Sequence, residues 1–359
     1  MRRLRRKIPP TETSVEEAGI PQGLVPRESD LSFDELGYLS ANPDVAREVE
    51  AGNLQSGYVH YRVHGETEGR PLEPQVVEHR DRERALAHLK RDGKGLEIGP
   101  SHNPLAPKSA GFDVDIVDHL DRKALIKKYL THGIDLRRIE EVDYISHGEP
   151  LAELTGHRRH YDWVLASHVF EHVPNPIGFL SDVNEILRDD GVLSMVVPHK
   201  ARCFDYFLPT TTTGALLDAW LQDSRRPSPG QIFDHFSSAA LLGGALSWDG
   251  DERRTPDSLA HVLGDARKVF EEYRQNSEYV DVHCWRFTPA TFRLILFDLA
   301  QLGVVHFEIL GLDDPGESEF YVSLRPARGG DLNHDDGTRD RFELLRAAME
   351  QEVGTTDTT

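Results

Sequence analysis

Cysteine is scarce in this sequence of 359 residues, which contains only Cys203 and Cys284. Two cysteines cannot form a disulfide framework or a cysteine-ligated zinc site. No apolar run reaches the roughly 18 residues that a membrane-spanning helix needs. The basic start, MRRLRRKIPP, lacks the apolar core of a signal peptide. These absences predict a cytoplasmic protein with no membrane span.

Positive charge is also in short supply. The chain has 41 Lys and Arg residues against 61 Asp and Glu residues, which gives a formal net charge of −20. A nucleic-acid surface needs clustered basic side chains, so this balance argues against nucleic acid as a partner. The length allows one large core and a small accessory domain.

The first part of the chain changes character twice before the main domain. Residues 1–28 are rich in charge, proline and glycine without a sustained period, and we expect a disordered tail. Residues 29–75 contain helix start and stop signals, such as Asn42-Pro43-Asp44, and predict a small helical module. This module resembles one found beside bacterial glycosyltransferases and other surface-polysaccharide proteins.

The main domain is predicted over residues 94–326, between a charged linker helix at 76–93 and a polar tail at 327–359. Its apolar segments alternate with helix-length stretches, which predicts an α/β fold with helices on both faces of a mostly parallel sheet. The last two segments are joined by a short turn-rich stretch, so we expect an antiparallel final pair. The seven predicted strands contain GLEIG, DVDIVD, VDYIS, DWVLAS, VLSMVVP, VVHFEIL and FYVSLRP.

The first strand ends at Gly99, and Asp118 follows nineteen residues later at the end of the second strand. A glycine at this point lets a ligand approach the backbone. An acid about 20 residues further on is placed to bind the two hydroxyls of a ribose. The pattern favours a nucleoside site, although Asp118 could also only cap a strand.

Residues 94–200 resemble the class I S-adenosylmethionine-dependent methyltransferases of the small-molecule branch. The resemblance is carried by Glu97-Ile98-Gly99, by ASHVFEHV after the fourth strand and by LRDDGVLSMVVP, and it extends to about residue 326. It implies a doubly wound, Rossmann-like fold with seven strands and S-adenosylmethionine as cofactor. The implied cofactor-binding residues are Glu97, Gly99, Ser101, Asp118, Ser167 and His168.

The loop after the first strand departs from the family pattern. Ser101 and Asn103 stand where the family has its later glycines. Asparagine tolerates positive φ, and serine can donate a hydrogen bond, so cofactor binding stays compatible with this loop. A nicotinamide-dependent enzyme is the nearest alternative on such a fold, but its Gly-x-Gly-x-x-Gly fingerprint is absent. A non-catalytic cofactor-binding or scaffold module is a further alternative.

Two Asp/His pairs lie in the predicted acceptor-side insertion at residues 201–287. Asp234 precedes His235, and Asp281 stands two residues before His283, which would put both on one face of an extended segment. A histidine oriented by a carboxylate can take the proton of an acceptor hydroxyl near neutral pH. The alternatives are a weak divalent-metal site or purely structural roles.

The sequence as a whole predicts an enzyme that transfers a methyl group from S-adenosylmethionine to a small-molecule or carbohydrate acceptor, at oxygen. We take His235 or His283 as the base, with Asp234 and Asp281 as their partners, and expect no metal. The carbohydrate part of the prediction depends on the N-terminal module alone and is an analogy. A nucleotide-sugar oxidoreductase or epimerase remains the other enzyme class.

Overall fold

The computed structural model describes residues 33–75, 82–249, 255–276, 279–327 and 337–354. The predicted tail at residues 1–28 lies outside this part of the chain. None of the helices in the described ranges combines the length and apolar character required to cross a membrane.

A sheet of seven strands forms the centre of the main domain. Its order is β3-β2-β1-β4-β5-β9-β8, where the last two strands pair antiparallel and β9 also runs antiparallel to β5. The remaining neighbours pair in parallel. The predicted α/β sheet with an antiparallel final pair is therefore confirmed. The strands, with the separate β6-β7 pair, are β1 (Gly95–Ile98), β2 (Val114–Asp118), β3 (Tyr144–Ile145), β4 (Tyr161–Ser167), β5 (Leu187–Pro198), β6 (Ala240–Leu241), β7 (Ser258–Leu259), β8 (Phe307–Asp313) and β9 (Glu319–Pro326).

Helices cover both faces of this sheet, and two apolar clusters lie on its sides. Short 3₁₀ turns occur at Lys108–Ala110, Leu136–Arg138 and Lys200–Arg202, and a π turn at Tyr61–Gly65. The α-helices are α1 (Glu35–Ala41), α2 (Pro43–Glu50), α3 (Gly57–His60), α4 (Glu66–Glu68), α5 (Arg82–Ala85), α6 (Arg122–Tyr129), α7 (Leu151–Thr155), α8 (Pro176–Ile186), α9 (Thr213–Leu221), α10 (Pro229–Ser238), α11 (Leu263–Asn276), α12 (Pro289–Gln301) and α13 (Thr338–Gly354).

Helix α8 shows how the sequence sets an element that borders the site. The side chain of Asn175 accepts a hydrogen bond from the backbone N–H of Gly178 at 3.0 Å, and Pro176 occupies the first helical position. The buried residues recur on one face, which packs on the sheet. These residues are Ile177, Leu180, Val183 and Ile186. The cap and the apolar face together fix where the preceding loop ends.

The segment before the main domain forms a helical module that contacts it directly. Tyr38 is fully buried among the helices of the module. Ser40 Oγ accepts a hydrogen bond from the backbone N–H of Leu136 at 3.0 Å, and Leu36 packs on the Leu125–Leu136 cluster. Arg137 forms an ion pair with Asp34 at 3.0 Å. The module therefore covers part of an apolar surface that belongs to the main domain.

Deletion of residues 1–75 is expected to leave a folded domain of reduced stability. Every strand of the large sheet lies beyond residue 94, but the deletion exposes the apolar cluster around Leu136. We expect retained far-ultraviolet circular dichroism, retained S-adenosylhomocysteine binding and a lower urea midpoint. An insoluble or molten product would show that the module completes the main core.

Other segments flank the sheet with structure of their own. Within the predicted linker, the described part contains the short helix α5. Within the predicted polar tail, α13 packs beside α12, where Arg341 makes two hydrogen bonds to Asp298 at 2.7 and 3.0 Å. The insertion at 201–287 contains α9, α10, α11 and the small β6-β7 pair. This insertion supplies several residues of the candidate site.

Candidate functional site

A cavity of about 440 Å³ opens at the carboxyl ends of the parallel strands. It lies where the strand order reverses, between β1 and β4, which is the usual ligand position in doubly wound sheets. Its volume falls within the roughly 300–1,000 Å³ of cofactor pockets. Residues that line it include Gly99, Asp118, Ser146, Val169, Asn175 and Arg225.

Asp118 lines this cavity and also orders the loop after β1. Its Oδ2 accepts a hydrogen bond from the backbone N–H of Ser101 at 2.9 Å, and its Oδ1 accepts from the N–H of His119 at 2.7 Å. Ser101 adopts a φ of 54°, and its hydroxyl bonds Tyr129 Oη at 2.7 Å. Ser101 thus stands at a position where the family has a glycine. Its backbone N–H bonds Asp118 and its hydroxyl bonds Tyr129, and these bonds hold it at positive φ. The Asp118 carboxylate is only 3% exposed.

The residues around the cavity fit an S-adenosyl nucleoside. A carboxylate oxygen has two lone pairs, so Asp118 Oδ2 retains capacity for a ribose hydroxyl beside the bond from Ser101. Gly99 has a φ of 63°, and a side-chain carbon there would meet Val169 Cγ2 at 3.1 Å. Only glycine leaves the backbone open to a ligand at this point.

Glu97 lies beneath the loop and does not line the cavity. Its two carboxylate oxygens accept hydrogen bonds from the backbone N–H groups of Leu105 and Ala106 at 2.7 and 3.1 Å. Burial raises the pKa of Glu97 to about 7, despite these bonds. In this structure Glu97 shapes the loop by holding residues 105 and 106.

The Glu97 carboxyl is expected to make stability depend on pH. Its pKa rises from 4.5 in the unfolded chain to about 7 in the fold. Between these values the folded state binds the extra proton, so the free energy of unfolding falls as pH rises, by on the order of 3 kcal/mol. Urea unfolding from pH 4.5 to 7.5 should show this slope in the wild type and less of it in Glu97→Gln. Equal slopes in both proteins would exclude Glu97 as the source.

Ser167 ends β4 and His168 follows it, but neither lines the cavity. His168 adopts a φ of 52°. Its Nε2 lies 2.7 Å from Glu319 Oε2, and its Nδ1 lies 3.4 Å from Glu171 Oε1. The carboxylates of Glu171 and Glu319 raise the pKa of His168, whose side chain is 49% exposed, to about 10. The loop therefore turns His168 toward two carboxylates and away from the cavity.

Three imidazoles surround the buried carboxylate of Glu171, beside the cavity-lining residues Val169 and Val173. The Nε2 atoms of His172 and His283 lie 3.9 and 3.8 Å from Glu171 Oε1. The backbone N–H of Cys284 donates to the carbonyl of Glu171 at 2.8 Å. The loop after β4 is thereby fastened to the end of the insertion, and the cluster sits next to the cavity.

The Asp/His pairs in the structure differ from those expected from sequence spacing. His283 Nδ1 bonds Asp205 Oδ2 at 2.6 Å, and Asp281 Oδ1 lies 2.8 Å from His172 Nδ1. Residues 279–286 do not form a regular strand. The alternation of side chains along a strand, which would have put Asp281 and His283 on one face, therefore does not apply. The expected pairing of Asp281 with His283 is corrected accordingly: each of the two residues has another partner.

The expected pairing of Asp234 with His235 is also absent from the described contacts. The Nδ1 of His235 accepts the backbone N–H of His283 at 3.3 Å, so a neutral His235 carries its proton on Nε2. Burial, and then His283, lower the pKa of His235 to about 4. Because the Nδ1 lone pair of His235 accepts the main-chain N–H of His283, His235 is poorly placed to act as a base.

Sequence reasoning missed Asp205 and did not assign roles to Glu171 or His172. Asp205 is 2% exposed and stands 78 positions before its partner His283. Its only sequence signal was its place in the aromatic segment CFDYF. Glu171 and His172 stood inside the ASHVFEHV motif, where a buried acid after a strand could have been read as part of the site.

Comparison with known proteins agrees with this arrangement. Residues 73–247 match the methyltransferase domain family, which is just under half of the chain. The match spans β1 to β6, including the cavity and the loop after β4. No curated protein matches the sequence significantly.

Solved structures with similar coordinates include several methyltransferases at low identity. A putative zinc-dependent alcohol dehydrogenase from Rhodobacter sphaeroides is 13% identical, covers 70% of this chain and 92% of its own, and has a TM-score of 0.40. A SAM-dependent methyltransferase from Aquifex aeolicus is 11% identical, with 69% and 90% covered and a TM-score of 0.34. A 1,6-didemethyltoxoflavin-N1-methyltransferase from Burkholderia thailandensis, with S-adenosylhomocysteine bound, is 13% identical, with 79% and 90% covered and a TM-score of 0.35.

The family match over residues 73–247 and the strand order support a methyltransferase domain in this part of the chain, with S-adenosylmethionine as its cofactor. In this fold Gly99 and Asp118 are the residues at the cavity that would hold the nucleoside part of the cofactor.

Proposed function

We propose that the protein methylates a hydroxyl group of a small-molecule or carbohydrate acceptor. The observation that carries the proposal is the pair of histidine–carboxylate contacts, His283 with Asp205 and His172 with Asp281, beside the cofactor cavity. An alkyl hydroxyl is a poor nucleophile until its proton is removed or its pKa is lowered. A cluster of imidazoles and carboxylates at the cavity edge supports such an acceptor better than it supports an amine.

The chemistry assigns a simple task to the residues of the cluster. S-adenosylmethionine supplies an electrophilic methyl group when bound. The acceptor oxygen forms a bond to the methyl carbon as the sulfur–methyl bond breaks. The electron pair of the broken sulfur–methyl bond stays on sulfur. The cluster orients the hydroxyl and receives its proton, and His172, partly exposed, connects it to solvent.

Two features support a carbohydrate as the acceptor. The Phe204 ring lies 4.4 Å from the His283 ring, centroid to centroid. An aromatic surface on which a sugar ring could stack therefore borders the cluster. The N-terminal helical module resembles those found beside proteins of surface-polysaccharide synthesis. The second feature is an analogy and gives a context only.

Transfer of label from methyl-labelled S-adenosylmethionine tests the proposal. The full-length protein is incubated with panels of monosaccharides, nucleotide-activated sugars, phenols, amines and carboxylic acids. We expect label in a hydroxyl-bearing compound, in a product that resists mild alkali because ethers do and methyl esters do not. Labelling confined to amines or carboxylic acids would overturn the proposed O-methylation.

A further inference from the structure

The three functional groups at the centre of the cluster converge on one point. Glu171, His172 and His283 each offer one ligand atom, and these three atoms all lie within 4.8 Å of one another. Ligand atoms on a tetrahedral metal with bonds of about 2.0–2.1 Å are about 3.4 Å apart. The Nε2 atoms of His172 and His283 lie 3.9 and 3.8 Å from Glu171 Oε1, and the ligand atoms of all three residues stay within 4.8 Å of one another, so side-chain movements of about 1 Å would bring all three into bonding range.

A second feature is the partner of each imidazole on its other nitrogen. His283 Nδ1 bonds Asp205 at 2.6 Å, and His172 Nδ1 lies 2.8 Å from Asp281. Metal-ligating histidines almost always have this arrangement, because a carboxylate on the far nitrogen fixes the ring and makes the near nitrogen a better ligand. The Nε2 atoms of both rings lie within 4 Å of the same carboxylate oxygen, Glu171 Oε1.

Glu171 itself is the third feature. Its side chain is 1% exposed, and within the described residues neither of its oxygens has a hydrogen bond of acceptable geometry. The nearest imidazole nitrogen, His168 Nδ1, is 3.4 Å away, beyond the usual hydrogen-bond range of about 2.7–3.2 Å. A carboxylate buried without close donors is costly unless a cation meets it.

We propose that Glu171, His172 and His283 bind one divalent transition-metal ion. Two imidazole nitrogens and one carboxylate oxygen suit zinc, iron, cobalt or nickel, whereas magnesium and calcium prefer oxygen ligands alone. Three protein ligands leave an open position, as in catalytic metal sites. Asp205 and Asp281 hold the two ligating rings, and His168 lies beside Glu171 outside the ligand set.

The role of this ion in turnover rests on the proposed function. An acceptor hydroxyl on the open position would have its pKa lowered. With the metal bound, its proton would pass to water, because the Nε2 atoms of His172 and His283 would then be ligands and could no longer receive it as the metal-free cluster does. The site lies on the loop after β4, whose Val169 and Val173 line the cofactor cavity. Metal, acceptor and methyl group would therefore meet at the same edge of the sheet.

Cobalt titration of the full-length protein tests the site without relying on activity. The chelator-treated protein receives Co²⁺, and the visible absorption of the cobalt ion is followed, with Zn²⁺ as competitor. We expect one equivalent of Co²⁺ to bind and Zn²⁺ to displace it, with no displacement by Mg²⁺. Glu171→Gln should abolish the signal, and Asp205→Asn should weaken Co²⁺ binding about 10–100-fold, the usual effect of losing such a partner.

His157→Gln is the matched control, because His157 stacks on His160 away from the cluster and should bind Co²⁺ as the wild type does. Circular dichroism and S-adenosylhomocysteine titration establish that each variant is folded. Absence of a Co²⁺ signal in the folded wild type, or an equal signal in Glu171→Gln, would overturn the metal site. Stoichiometric Co²⁺ binding without methylation of any hydroxyl would retain the site and reject the proposed function. Hydroxyl methylation that persists in the presence of a chelator, without Co²⁺ binding, would support the proposed function and reject the metal site.

Discussion

Replacement of His283 by alanine is expected to lower turnover about 10²–10⁴-fold, the usual share of proton transfer by a positioned group. His283 is the best-held imidazole of the cluster, since Asp205 bonds its Nδ1 at 2.6 Å and its Nε2 faces Glu171. Its loss removes either the proton acceptor or a metal ligand. Affinity for S-adenosylhomocysteine should change little, because His283 does not line the cofactor cavity. Single-turnover label transfer and calorimetry measure the two effects.

His235→Ala is the informative comparison for this experiment. Both histidines are sequence candidates for the base, and both belong to the insertion. His235 uses its Nδ1 lone pair on the backbone N–H of His283, so we expect a loss at least an order of magnitude smaller than for His283→Ala. Asp205→Asn, which keeps the side-chain volume, separates orientation from packing. Equal losses in the two alanine variants, with Asp205→Asn fully active, would return the role of base to His235.

The fold was predictable because its signals are local. Each strand contains a short apolar run, and the Asp-Asp-Gly stretch at 189–191 is followed by the mostly apolar second half of β5. Because crossovers between parallel strands are almost always right-handed, few strand orders are possible for such a chain. The short link between β8 and β9 excludes a parallel crossover. The prediction of a seven-stranded sheet needed no contact between distant residues.

The site could be predicted only where it lies on those strands. Gly99 follows β1 and Asp118 ends β2, and both line the cavity, as their spacing indicated. Asp205 and His283, in contrast, meet across 78 positions through a loop and an irregular segment. Neither a strand period nor a helix period applies there, so their pairing could not be predicted from spacing. The Asp281–His283 prediction failed for this reason, because it assumed an extended segment.

Replacement of Asp118 by alanine is expected to weaken S-adenosylhomocysteine binding by at least about 10-fold. One charge-assisted hydrogen bond from a ribose hydroxyl to Oδ2, at about 1.5 kcal/mol or more, accounts for this loss. A second loss adds to this in the structure. Asp118 also accepts the backbone N–H groups of Ser101 and His119, so the loop after β1 loses the anchor that keeps it beside the cavity.

Ser101→Ala separates these two contributions. Alanine keeps the backbone N–H that bonds Asp118 and removes only the hydroxyl that bonds Tyr129 Oη. The φ of 54° at this position is as unfavourable for alanine as for serine, so the backbone strain is matched. We expect Ser101→Ala to weaken binding much less than Asp118→Ala when both are measured by calorimetry. If Asp118→Ala binds S-adenosylhomocysteine as the wild type does, Asp118 is not a cofactor ligand. If both variants lose affinity equally, the order of the loop outweighs direct contact between the carboxylate and the ribose.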